Sequence, residues 1–443
     1  MSISRRDLFV AGAGFVAAGG CARIANSARR QSRDLGYRSP SGTESEKLLN
    51  RLTFGWSSQE EHTFQELGKE QYLESQLRAS FPEPLELTLQ VQSLDAIRLQ
   101  AVELMEIPRA RVVEQLQSAA ILRATYSPNQ LKERMVDFWS NHFNIYSGKA
   151  DGAFFKGNEE EQIVRKFALG KFPEMLKSMT KSPSMLVYLD NQLNFKGHPN
   201  ENFARELLEL HSLGIDGGYT QKDIQEVARC LTGWAMETRF LRPKGSFRFD
   251  EERHDLGAKV VLGVKIPSGG GLSDGEAVLN ILANHPSTAK HLARKLVTHF
   301  TGGRHEELEK KVATQYANTG GDISAMMREI VQAPELTNGP TKLRRPFDYL
   351  VACLRRSNAE TDGGPALQTE LRKMGQLLYD WPLPDGYPVD QVSWATNMLP
   401  RWQFAYNLAH GKIKETSVPI EYLKVEGRQL LARRLASPEF QVV

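Results

Sequence analysis

Glu201, Arg205, Glu206, Glu209 and His211 crowd three carboxylates, a guanidinium and an imidazole into residues 201–211. Carboxylates and imidazoles exchange protons near neutral pH, and a guanidinium orients anionic or polar groups. The chemistry this set suggests is acid–base or metal-assisted hydrolysis. Glu201 opens a helix beside a polar loop and is the candidate general base, with Arg205 as the orienting group. Asn141, His142, Asp190, Asn191, Asn194, His254 and Asp255 are candidate binding residues on neighbouring segments. Each has a plainer reading. Arg205 and Glu209 form an i,i+4 pair worth about 0.3 kcal/mol on an open helix face. His142 and His211 fall on apolar stripes, where a histidine with one satisfied hydrogen bond is an ordinary core residue. His254 and Asp255 read equally as loop polarity.

The spacing excludes several sites. Glu206 and His211 point about 140° apart on one helix, so they form no single-helix ligand pair. The chain has no H-E-x-x-H pattern and no pair of E-x-x-H motifs to argue for a di-iron bundle. Asp216-Gly217-Gly218 lacks the alternating oxygen ligands of a calcium loop. Gly269-Gly270-Gly271 lacks the Lys-Ser/Thr of a phosphate loop, and no zinc-ligand spacing occurs. The residues therefore name no metal and no cofactor.

These residues need helices to position them. Phe203, Ala204, Leu207, Leu208 and Leu210 give a helix over 202–213 one apolar face, and Gly214 stops it. Thr220 with Asp223 caps a second helix closed near Gly233. Leu131, Met135, Phe138 and His142 stripe a helix over 129–143, so His142 and His211 can meet in apolar surroundings that keep both imidazoles neutral. Helical patterns continue to the C-terminus, including 163–193, broken near Pro173 and Pro183, and the helix started by Pro286, whose polar side carries Lys290, Arg294 and Lys295. Phe247-Arg248-Phe249 and the run 259–266 predict one small β-hairpin with His254 and Asp255 on its connecting loop. Residues 381–388, with Trp381, Tyr387 and three prolines, form a rigid aromatic loop that packs structurally or walls a ligand cleft. The expected fold is mainly α: a single large multi-helix domain over 44–443 with one small β-hairpin insertion.

Of 443 residues, 40% are hydrophobic and 25% charged, the balance of a globular protein. A net charge of +3, with no basic stripe bearing aromatics, argues against a nucleic-acid partner. Arg5-Arg6 before a short Ala/Gly-rich apolar run resembles a twin-arginine export signal over 1–21. Ala18-Gly19-Gly20-Cys21 resembles a lipoprotein cleavage box that would anchor an acylated Cys21 to a membrane. Residues 22–43 read as a polar tether. The expected location is the periplasm or cell envelope, with an envelope protein or polymer as a partner. Cys230 and Cys353 are either a disulfide or two buried thiols.

Several stretches carry a family resemblance. Leu48-Leu49-Asn50-Arg51-Leu52-Thr53-Phe54-Gly55, the helix from Arg134 through Trp139-Ser140-Asn141-His142-Phe143, and Pro199 to His211 running on to Leu231-Thr232-Gly233-Trp234 resemble the bacterial domain-of-unknown-function family eighteen-hundred. His254-Asp255, Val261-Leu262-Gly263, 342–346 and Asp385-Gly386-Tyr387-Pro388 fit as well. The resemblance implies export and a shared site over 134–143 and 190–234, but no reaction. Two functions stay open: an exported hydrolase, or a non-catalytic envelope scaffold or export partner.

Overall fold

The computed structural model describes residues 43–238, 245–396, 398–419 and 425–443. The export signal, Cys21 and nearly all of the tether lie outside the described residues. Within them the chain is mainly helical, with three two-stranded antiparallel sheets.

The helices start and stop where local chemistry dictates. In α1 (Glu44–Leu52) the Thr43 side chain accepts from the Glu46 N–H, and Leu48, Leu49 and Leu52 are buried. Helix α2 (Arg109–Tyr126) precedes α3 (Gln130–His142), which buries Leu131, Met135, Phe138 and His142 on one side. Helix α4 (Pro183–Tyr188) has Ser182 as cap and Pro183 in its first turn. Helix α5 (Glu201–Glu209) is capped by the Asn200 side chain and buries Phe203, Ala204, Leu207 and Leu208. Helix α6 (Gln221–Cys230) opens with the expected Thr220/Asp223 capping box.

Helix α5 is shorter than its periodicity predicts. It ends at Glu209, and the chain turns through hydrogen bonds from the His211 N–H to the Glu206 carbonyl and from the Leu213 N–H to the Leu208 carbonyl. Gly214 closes the turn at φ +82, and a Cβ there would lie 2.6 Å from the His291 ring. His211 therefore sits in a helix-terminating turn, directed by the turn instead of by helical phase.

The strand pairing differs from the expectation. Strand β1 (Trp234–Met236) pairs with β2 (Phe247–Phe249), and β3 (Lys259–Val261) pairs with β4 (Val264–Ile266). Residues 259–266 are thus a hairpin by themselves. Leu262 and Gly263 both have positive φ, the geometry of a type I′ turn, and a leucine there hides the turn from sequence reading. His254 and Asp255 lie between two sheets, not on the loop of one hairpin. A third sheet joins Glu360–Thr361 to Thr416–Ser417.

Four further helices matter to the site: α7 (Leu272–Asn284), α8 (Pro286–Thr301), α9 (Glu306–Thr319) and α10 (Pro346–Arg356). Helix α8 begins on His285, whose ring accepts from the Ser287 N–H, and buries Leu292, Ala293, Leu296, Val297 and Phe300. The largest apolar cluster unites α1, α3, α5, α6, α7 and α8. A second one joins Phe54, Ile121 and Ala124 to α10 and the C-terminal helices. Cys230 and Cys353 are free buried thiols in different clusters, so they do not form a disulfide.

Candidate active-site cleft

Two histidines from separate segments lock together. His142, the last residue of α3, donates from Nε2 to the His211 carbonyl at 3.3 Å, and His211 donates from Nδ1 to the His142 carbonyl at 3.0 Å. Their ring centroids are 5.8 Å apart, and Phe143 packs against both rings. The exchange fixes both tautomers. It leaves Nδ1 of His142 unprotonated, where it accepts from the Lys295 ammonium at 2.8 Å. Burial, then the positive charge of Lys295, holds His142 well below its ordinary pKa and takes His211 down to about 3. Both are neutral imidazoles at physiological pH. Nε2 of His211 is buried and has no partner among the described residues.

Lys295 and His291, one turn apart on α8, carry this brace to the surface. His291 donates from Nε2 to the Leu210 carbonyl at 3.3 Å, and burial lowers its pKa to about 4. Lys295 makes no ion pair among the described residues, and its only described hydrogen bond goes to His142. Desolvation lowers its pKa to about 8, which the Asp385 carboxylate partly opposes. Both side chains line a cleft of about 1020 Å³ between the turn after α5 and helices α8 and α9. Glu209, Lys290, Arg294 and Asp385 also line it.

Asp385 arrives on the 381–388 loop, which α3 clamps. The Asn141 side chain donates to the Tyr387 carbonyl at 3.1 Å and accepts from the Tyr387 N–H at 2.7 Å. Asn144 donates to the carbonyls of Trp381 and Leu383, and the Tyr188 hydroxyl donates to that of Pro382. Gly386 has φ +76, and a Cβ there would collide with the Asn141 carbonyl. The Trp381 indole N–H holds the Asp385 carboxylate at 3.0 Å. Asn141 thus builds the wall of the site instead of facing its interior.

Glu209 brings the outer face of α5 to the cleft, and Glu206 lies beside it on that face. Desolvation, then the charges of Glu209 and Asp385, raises the Glu206 pKa. Burial and then the Glu206 and Asp385 carboxylates also raise that of Tyr188. Burial and the neighbouring Glu209 push Tyr219 up to about 12. Asp385 is the common element, because its charge acts on Glu206, Tyr188 and Lys295 alike. A carboxyl displaced upward and an ammonium displaced downward bring two proton-transfer groups toward neutral pH at one site.

From the sequence-predicted set the structure joins His142 to His211 and sets Glu209 in the cleft wall, with Glu206 beside Glu209 on the same helix face. Glu201 stands at the far end of α5 in a surface group, 3.4 Å from Arg205 and 2.5 Å from the Gln221 amide. Arg205 also reaches Glu209 at 3.8 Å. Asp190, in a left-handed conformation, pairs with Lys149 at 2.8 Å just beyond Tyr188. Asn191 and Asn194 are buried and bind the backbone carbonyls of Trp234 and Ala228. His254 lies in a sealed group, its Nε2 3.1 Å from Asp274 and its Nδ1 donating to the Thr232 carbonyl. Asp255 is paired with Arg229. These last four side chains hold the sheet region to α6 and α7, away from the cleft. Lys295, His291 and Asp385 are the members that sequence reasoning did not place. The aromatic loop and the i,i+4 polar pair on α8 were the only signals pointing to them. Among the described residues no three His, Cys, Asp or Glu side chains are grouped to hold a metal ion.

The neutral histidines make stability depend on acid. The folded-state pKa values of about 3 for His211 and about 4 for His291 lie below the ordinary 6.5. Below pH 6.5 the unfolded chain therefore takes up protons that the folded one refuses. Stability present above pH 6.5 should be lost as the pH falls toward 4, by about 1.4 kcal/mol per pH unit for each neutral histidine. The raised pKa of Glu206 acts in the opposite sense, but that group is half exposed and offsets little. Urea midpoints at pH 7, 6 and 5 check this, and a flat profile would contradict it.

Comparison with known proteins gives a class without a chemistry. Residues 47–442 match the model of a family described as protein of unknown function, DUF1800, so the chain belongs to that family. No curated protein matches, and no solved structure matches.

Proposed function

We propose that this member of the DUF1800 family is an exported enzyme that uses Glu206, Lys295 and Asp385 for acid–base hydrolysis of a polar substrate in the cleft. The observation that carries the reading is the Lys295 ammonium, held 2.8 Å from a neutral imidazole, without an ion pair among the described residues, at the edge of a large cleft. Glu206 takes the proton of the attacking water. Lys295 gives one to the leaving group, with Asp385 setting the balance between them. Arg205 and Glu209 orient the substrate at the rim. His142 and His211 are positioning residues that fix where Lys295 stands. Export through the twin-arginine route is the location we infer, supported by Arg5-Arg6 and the apolar run after it. Among the described residues no helix is long and apolar enough to cross a membrane.

The test is complementation of a deletion strain in the native host. Glu206→Gln should fail to restore the deletion phenotype while folding and accumulating normally. Glu201→Gln, in the surface group at the other end of α5, should restore it. Restoration by both would defeat the reading. A scaffold reading draws on the exposed apolar side chains of Leu383, Val392, Leu399 and Trp402 near the loop. It gains if Glu206→Gln restores function and Val392→Asp with Leu399→Asp does not.

A further inference from the structure

Lysines removed from solvent in this protein mostly meet a carboxylate. Lys156 pairs with Glu159 at 2.6 Å, Lys259 with Asp274 at 2.6 Å and Lys181 with Glu276 at 2.7 Å. Lys342 makes no such contact among the described residues; it lies near Asp348 as well as Arg134, Arg345 and Arg51 and donates to the His299 carbonyl. Lys295 differs from all of these. Its partner is an uncharged ring nitrogen, and the cleft opens beside it. A carboxylate contact would hold the proton on such a nitrogen, whereas a neutral acceptor leaves the amine free to lose it. The hydrogen bond to Nδ1 persists in either state, because an amine still has an N–H to donate. It therefore keeps the nitrogen in place while its lone pair becomes available.

We propose that the Lys295 amine is a nucleophile toward an aldehyde or ketone bound in the cleft and joins it as an imine. This rests on the reading of the cleft as the reaction site and gives Lys295 a covalent role there in place of the acid role. The amine nitrogen attacks the carbonyl carbon, the C=O π pair moves to oxygen, and the ammonium proton passes to that oxygen through the rim carboxylates. The carbinolamine then loses its hydroxyl as water, with a proton returned from the Glu206 carboxyl, and the nitrogen lone pair forms the C=N bond of a protonated imine. No electrons are gained or lost. His142 enters as a positioning residue. An amine titrating at about 8 supports the step. At pH 8 it supplies roughly 150 times more free base than an ordinary lysine at 10.5.

The full-length purified protein is treated with propanal and cyanoborohydride between pH 6 and pH 10, and alkylated lysines are mapped by peptide mass spectrometry. Lys295 should be modified at least tenfold faster than Lys290, an exposed lysine lining the same cleft. Its rate should rise through pH 8 and then level off, and Lys295→Arg should remove that product alone. Modification of Lys295 no faster than of Lys290 would overturn the proposal. If that result came with a Glu206→Gln variant that fails in the host, the imine step would fall and the acid–base reading would stand. Fast labelling with a functional Glu206→Gln would support the nucleophile and overturn the role given to Glu206.

Discussion

Asp348→Asn is expected to destabilise the protein by about 3–5 kcal/mol. Asp348 is buried on α10, accepts from Arg134 of α3 at 2.9 Å and from Arg345 at 3.2 Å, and has Lys342 as a further cationic neighbour. Arg345 also pairs with Asp137. Arg134 approaches the His299 ring of α8 at 3.4 Å, and Lys342 donates to the His299 carbonyl at 2.6 Å. The group therefore ties α3, which carries His142, to α8, which carries Lys295. The positive charges around it hold the Asp348 carboxyl well below the usual range. Replacing it by an amide removes the carboxylate shared by Arg134, Arg345 and Lys342 and leaves Asp137 paired with Arg345, and uncompensated buried charge is the costly case. Urea unfolding measures the effect. The comparison is Glu307→Gln, which removes an exposed pair with Lys310 and should leave the midpoint unchanged. A small effect of Asp348→Asn would mean that this group does not set the spacing of the two helices.

Lys295→Met should reduce function by about 10²–10⁴-fold, the range for losing one proton-transfer group. It should do so without loss of stability. Lys295 is desolvated and no ion pair among the described residues compensates it, so an apolar side chain of similar length should leave the melting temperature equal or higher. Loss of function together with retained or increased stability separates a working residue from a structural one. Lys290→Met, on the same helix and lining the same cleft, serves as the control. Complementation in the native host reads the first quantity and calorimetry the second. A Lys295→Met protein that is fully functional, or one that is destabilised and recovers function at low temperature, would remove Lys295 from the chemistry.

What could be read from the sequence followed periodicity. The stripes of α3 and α5 placed His142 and the leucine face of α5 correctly, because one buried side of a helix leaves a 3.6-residue pattern. The capping boxes and stop signals around 214–233 were visible for the same local reason. Lys295 and Asp385 were not, since a charge on a polar helix face and an aspartate in a loop carry no sign of what they will face after folding. Asn191 and Asn194 marked the densest polar stretch, yet a buried amide that satisfies backbone carbonyls has the same one-dimensional signature as a binding group. The strand pairing was misjudged because each strand has only three residues and the turn at Leu262 shows no Asn-Gly. Glu201 stands out in the sequence by its place at a helix start, but the cleft is lined from the other end of that helix, at Glu209, where α5 turns toward α8.

The proposed chemistry turns on one nitrogen. Specific isotope labelling of lysine and NMR titration of the Lys295 side chain would give its ionisation directly. The midpoint should fall near pH 8, set by desolvation and the neutral His142 beside it. A midpoint at the ordinary 10.5 would show that the ammonium is solvated or paired, and the cleft would then lack the proton-transfer group assigned to it.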